Sequence, residues 1–170
     1  MFSLPVRILL ILVMAASGSY LLARGQPSGY YLLAAAGLLV FGYFRYGPIR
    51  PAFVALQHGN TELAKNLIAT IRYPNLLNRE SRAYLHWING MLESMDEGRL
   101  AFAQEQLQLA LDLGVRTSND KCVLVASLAQ LAAKSDDLAH ARQLLEQAES
   151  IPHRDEASAF IDELRRSFVP

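Results

Sequence analysis

The pattern of hydrophobic and polar residues divides this 170-residue chain into two parts. Residues 8–23 and 30–44 form two apolar runs that show no polar face. After Pro48 the pattern becomes amphipathic, with small or apolar residues at the three- and four-residue spacing of an α-helix. No segment alternates with the two-residue period of a β-strand. The pattern therefore predicts an all-α protein.

The two apolar runs predict a transmembrane helical hairpin. The expected spans cover about residues 7–23 and 30–46, and a turn rich in Gly, Pro and Ser joins them. Each run is slightly shorter than the ~20 apolar residues that usually cross a bilayer. Arg7, Arg24 and Arg45 flank the runs, and their long side chains can reach the interface. Tyrosines cluster near the same ends, as in the aromatic belts of membrane proteins.

Two other interpretations of the N-terminal part stay open. The hairpin could be buried in the core of a soluble protein, although neither run offers a polar face to solvent. The first run also resembles a signal peptide, because Arg7 precedes an apolar stretch that ends near the small residues Ser17 and Ser19. Removal of the first span would leave the remainder of the chain on the same side of the membrane.

The charge distribution favours the membrane interpretation. All 16 acidic residues lie at or after Glu62, and only four arginines carry charge before it. A long stretch without acids is typical of membrane segments, because a carboxylate is costly in hydrocarbon. Arg7 precedes the hairpin, Arg45 and Arg50 follow it, and the connecting turn holds only Arg24. The positive-inside rule therefore predicts that both termini lie in the cytoplasm.

Three amphipathic runs in the second part resemble one another. They read GNTELAKNLIATI from Gly59, GRLAFAQEQLQLAL from Gly98 and SDDLAHARQLLEQA from Ser135, and each begins with a turn signal. The segments between them, residues 80–94 and 119–133, are apolar on two faces, which is typical of inner helices. Turns that recur every ~34 to 38 residues indicate stacked helical hairpins.

On these residues the chain resembles the tetratricopeptide (TPR) repeat family. In that family an alanine lies five residues after the turn glycine and another lies seven residues further on. Gly98, Ala103 and Ala110 follow this spacing, and Ala141 and Ala148 repeat it in the third run. The likeness covers roughly residues 49–152 and extends to small membrane-anchored TPR proteins of bacteria.

The resemblance implies a transmembrane hairpin over residues 1–47 and a cytoplasmic TPR-like domain over residues 48–170. The implied domain is a right-handed helical-hairpin solenoid of about three repeats, closed by a C-terminal capping helix over residues 155–168. The chain departs from the family where Gly90 and Met91 replace the preferred Leu and Gly, and where the third repeat lacks a turn glycine. The implied location is a bacterial inner membrane.

TPR proteins bind partner segments in a concave groove lined by the first helices of successive repeats. The resemblance implies that the groove here is lined by Leu85, Ile88, Asn89, Leu92, Val123, Ser127, Gln130 and Lys134. An alternative is that Leu85, Ile88 and Leu92 pack against the short first repeat, in which case they would not face a partner.

Residues capable of catalysis or metal binding are few and scattered. The histidines follow no metal-ligand spacing, and Cys122 has no base evident in the sequence. No basic stripe suggests nucleic acid. We therefore expect a membrane-anchored interaction scaffold or assembly adaptor, not an enzyme, without metal or cofactor. The alternative is a structural subunit held in a larger membrane complex by its hairpin. The partner and the oligomeric state are left open.

Overall fold

The structure is a computed structural model that describes residues 4–168. Over these residues the protein is all-helical, with nine α-helices and no strand, which confirms the predicted all-α class. The helices form two compact units that divide between Gly47 and Pro48. The helices are α1 Leu4–Ala23, α2 Ser28–Tyr46, α3 Ile49–Gln57, α4 Thr61–Ala69, α5 Arg79–Glu93, α6 Leu100–Leu113, α7 Ser118–Lys134, α8 Leu138–Ser150 and α9 Asp155–Ser167.

In the first unit, α1 and α2 pack against each other as a hairpin. The turn between them uses Gly25 in the left-handed region, at φ +74°. Gly18 of α1 faces Gly29 of α2 across a close contact. A Cβ added at Gly29 would lie 2.5 Å from the carbonyl oxygen of Gly18 and 2.7 Å from Cγ of Leu22. Glycine at this position therefore allows direct contact between the two backbones.

Both helices of the first unit expose large apolar side chains, among them Leu9 at 62%, Leu12 at 61% and Phe41 at 64%. Within residues 4–168, no helix combines the length and apolarity needed to cross a membrane, so this criterion does not support the predicted spans. The side chains of Arg7 and Phe44, expected at span ends, lie outside the part of the chain that the structure describes.

The second unit is a succession of helical hairpins. Helix α3 packs with α4, α5 with α6, and α7 with α8, while α9 covers α7 and α8. The first turn uses Gly59 at φ +73°. In the third hairpin, which lacks a turn glycine, Asp136 adopts the left-handed conformation at φ +62°. A short polar side chain tolerates this conformation better than most, which explains how the turn forms without glycine.

Side-chain caps begin most helices of the second unit. The side-chain oxygens of Asn60, Asn78 and Asp137 each accept a hydrogen bond from a backbone N–H in the first turn. The hydroxyl of Thr117 accepts one from the N–H of Asp120 at 3.0 Å. These bonds satisfy helix-end donors that would otherwise lack partners.

Three apolar clusters form the core of the second unit. One joins α3 to α5, a second joins α5, α6 and α7, and a third joins α7, α8 and α9. Helix α7 takes part in two of them and buries nine residues. Trp87, the single tryptophan, lies in the second cluster and is 3% exposed.

Candidate partner-binding cleft

A cleft of about 590 Å³ lies on the surface of the second unit between α4 and α5. Helix α4 contributes Glu62, Lys65 and Ile68, which recur at helical spacing. Ala64, in the same helix, is fully buried. This volume lies within the range of clefts that bind ligands or protein segments.

Helix α5 forms the other wall. Leu85, Asn89, Leu92 and Asp96 line it at intervals of three or four residues, so they follow one face of the helix and the turn after it. The cleft therefore contains three of the predicted groove residues, Leu85, Asn89 and Leu92. Met95 also lines it and is 60% exposed.

Ile88 lies beneath this wall. Its side chain is fully buried in the cluster that joins α3 to α5, and Leu85 is 7% exposed in the same cluster. Ile88 therefore cannot contact a partner in the cleft. This corrects its prediction as a groove-lining residue. Ile88 and most of the surface of Leu85 instead pack against residues of α3, as the alternative interpretation of these positions expects.

The walls of the cleft carry polar groups without partners. Among the described residues, the side chain of Asn89 makes no hydrogen bond, and neither Glu62 nor Lys65 makes an ion pair. Two other charged groups are already engaged. A guanidinium nitrogen of Arg99 lies 2.7 Å from a carboxylate oxygen of Glu93. The cleft thus combines an apolar floor with an amide and charges that remain free to bind.

The predicted groove residues of α7 do not line this cleft. Ser127 is buried, and its hydroxyl donates to the carbonyl of Val123 at 2.8 Å. Val123 packs partly buried against the core, and Gln130 is also partly buried. The ammonium of Lys134 donates to the carbonyl of Ser94 at 3.1 Å. Val123, Ser127, Gln130 and Lys134 therefore lie outside the α4–α5 cleft, which is formed by the face of α5 that turns towards α4.

Helices α5 and α7 lie side by side in the same direction. Near their starts, the Tyr84 hydroxyl donates to a carboxylate oxygen of Asp120 at 2.5 Å. Near their ends, Lys134 bonds to Ser94 as described above. Burial, together with the hydrogen bond to Asp120, raises the pKa of Tyr84 above its ordinary value of 10. This tyrosine therefore links the helices and stays protonated in the folded protein.

Groups with possible reactivity lie away from the cleft. Cys122 is fully buried, and desolvation raises the pKa of its thiol, which disfavours the reactive thiolate. Nδ1 of His86 lies 2.8 Å from the side-chain oxygen of Gln106. Among the described residues, no three His, Cys, Asp or Glu side chains lie close enough to hold a metal ion.

The sequence does not indicate that residues of α4, or Met95, line a cleft. The family resemblance assigns partner contacts to first helices, whereas α4 is the second helix of its hairpin. The only available signal was the helical spacing of Glu62, Lys65 and Ile68, which equally fits a solvated face. No protein family, curated protein or solved structure matches this chain.

Proposed function

We propose that this chain is a membrane-anchored protein-interaction module that holds a partner protein near the bilayer through the α4–α5 cleft. The observation that carries the proposal is the cleft itself. Leu92 and the largely exposed Met95 provide apolar contact area, while the side chains of Asn89, Glu62 and Lys65 carry polar groups without partners in the described chain. This combination suits a protein segment, whose backbone offers both hydrogen-bond donors and acceptors.

We propose that the second unit is a TPR-like right-handed solenoid. Three consecutive helical hairpins and a final helix that covers their end support this assignment. The parallel placement of α5 and α7 also supports it, because the first helices of successive repeats lie side by side in such stacks. A solenoid exposes a large surface for its length, which suits a scaffold.

The first unit is proposed to anchor the protein in a bacterial inner membrane, with both termini in the cytoplasm. No acidic residue precedes Glu62, and α1 and α2 expose many large apolar side chains, as a membrane-facing surface does. Because these helices fall short of a full span, local thinning of the bilayer and the flanking arginines must bridge the difference. The Arg24 guanidinium lies 4.7 Å from the centre of the Tyr20 ring, a pairing suited to an interface.

A reporter that is active only outside the cytoplasm, fused after Pro170, tests this topology. The fusion should be inactive, and a matching cytoplasmic reporter should be active. The opposite pattern would refute the cytoplasmic placement and direct the search for partners to the other side of the membrane.

A structural subunit of a membrane complex is the second candidate function. A Cβ added at Gly37 or Gly42 would meet nothing within 4 Å, so these small residues lie on the outward surface of α2. Leu38 and Phe41, their neighbours, are largely exposed. Small residues on an exposed membrane helix allow another helix to approach closely.

Site-specific photo-cross-linking in the full-length protein separates the two functions. A photoreactive residue at Met95 should yield a discrete adduct with one protein, and Leu92→Asp should abolish it. The same residue placed at Gln143, exposed on α8, serves as the matched control. If adducts form only from Leu39 in the hairpin and Leu92→Asp has no effect, the cleft proposal fails and the structural subunit is favoured.

A further inference from the structure

We infer that the partner segment bound in the α4–α5 cleft is basic and apolar, with a Lys or Arg beside an apolar anchor. The inference rests on the proposed function and names the chemistry of the partner at the same site. It follows from the charges that the cleft leaves unneutralised and from the positions of its apolar side chains.

The free charge of the cleft is negative. Among the described residues, the charged side chains that line it are Glu62, Lys65, Glu93, Asp96 and Arg99. Glu93 and Arg99 neutralise each other across 2.7 Å. Two carboxylates and one ammonium group remain, so the cleft has a net free charge of −1.

The end of α5 makes this region more negative. The last carbonyl groups of a helix carry a partial negative charge, and Asp96 and Glu97 lie three and four residues after the end of α5. The ammonium of Lys134, which donates to the carbonyl of Ser94 at 3.1 Å, offsets part of this charge. One oxygen of Asp96 accepts the N–H of Gly98 at 3.0 Å, which holds this carboxylate in place. A cation of the partner is therefore stabilised near Asp96, whereas an additional carboxylate there would be repelled.

The apolar anchor has a separate place in the cleft. Ile68 on α4 and Leu85 and Leu92 on α5 line it, and the flexible side chain of Met95 can adapt to different partners. Leu85 lies about 12 Å along α5 from Glu93, the last residue of the helix, and Asp96 lies in the turn that follows. A partner segment that fills the cleft must therefore carry its basic residue within about three helical turns of its apolar anchor.

Three labelled helical peptides test this inference by fluorescence anisotropy with the full-length protein in a non-ionic detergent. The peptides share one leucine face and differ only in the polar face, which carries lysine, glutamine or glutamate. The lysine peptide should bind most tightly and the glutamate peptide most weakly. Added salt should reduce the difference between them, because the preference is electrostatic.

Two double variants that remove the same charge test whether the preference for the lysine peptide arises in the cleft. Glu62→Gln/Asp96→Asn removes both free carboxylates, and asparagine can still accept the N–H of Gly98. Affinity for the lysine peptide should fall about two- to tenfold. Glu105→Gln/Glu163→Gln removes the same charge from exposed sites outside the cleft and should leave the affinity within about twofold.

The outcomes separate this inference from the proposed function. If Leu92→Asp abolishes binding of all three peptides but the wild type shows no preference for lysine, the inference fails and the cleft remains a binding site. An equal effect of both charge-removing pairs also refutes it. If none of the three peptides binds, a basic apolar segment is insufficient for the cleft and the inference fails, while cross-linking from Met95 tests the proposed function independently.

Discussion

The contact between Gly90 and Leu107 predicts that Gly90→Ala destabilises the protein, although alanine has a higher helix propensity than glycine. Gly90 lies inside α5, where alanine would normally stabilise the helix by about 0.5–1 kcal/mol. A Cβ at this position would lie 2.6 Å from Cδ2 of Leu107 and 3.1 Å from the carbonyl oxygen of Ala103. Leu107 is fully buried in the cluster that joins α5, α6 and α7, so a shift of its side chain must disturb neighbouring core residues.

Overpacking of a dense core costs about 1–3 kcal/mol, which exceeds the gain in helix propensity. We therefore expect Gly90→Ala to lower the free energy of unfolding of the second unit by about 1–2 kcal/mol. For a unit of this size, the melting temperature should fall by about 3–8 °C. This contact also explains why a glycine occupies a position inside α5.

Urea unfolding of the full-length protein in detergent, followed by the fluorescence of Trp87, measures the effect. Trp87 is the single tryptophan and packs in the same cluster as Leu107. Gly98→Ala is the matched control, because the atom nearest to its added Cβ is 3.4 Å away, which is an ordinary contact. Combining Gly90→Ala with Leu107→Ala should cost less than the sum of the single changes, since the second removes the clash. The reasoning is refuted if Gly90→Ala is as stable as the wild type, or if the two changes are additive.

Two further predictions concern buried titratable groups. Tyr84→Phe should destabilise the second unit by about 1–2 kcal/mol in urea unfolding, because it removes the hydrogen bond to Asp120. Since folding raises the pKa of Tyr84 above 10, the stability that this group contributes is lost as the pH rises above about 10, and Tyr84→Phe should weaken that alkaline loss. A wild-type-like alkaline profile in the variant would contradict this assignment. Cys122 should resist a thiol reagent in the native protein and react in urea, and rapid native labelling would show that its burial is wrong.

Much of the helical layout could be predicted because its signals are local. The predicted inner segments, residues 80–94 and 119–133, differ from α5 and α7 by one residue at each end. Periodicity identifies such helices, and caps such as Thr117 fix where they begin. Asp136 shows that the turn after α7 could be recognised from its polar cluster even without glycine.

The cleft could not be predicted because it depends on contacts between distant segments. The sequence shows that α5 is apolar on two faces, but the neighbour that covers each face depends on how α3 and α4 pack. Ile88 and Leu92 are only four residues apart, yet one is fully buried and the other lines the cleft. The placement of Lys134 depends in the same way on a carbonyl 40 positions earlier in the chain.

The uneven distribution of buried residues has a consequence for local unfolding. Helix α7 buries nine residues, whereas α4 buries only Ala64. Segments with few buried contacts open at a lower free energy, so amide hydrogens in α4 should exchange with solvent sooner than those in α7. Helix α4 is also one wall of the cleft. A bound segment would therefore slow hydrogen exchange mainly in α4, and part of its binding free energy would be used to hold that helix closed.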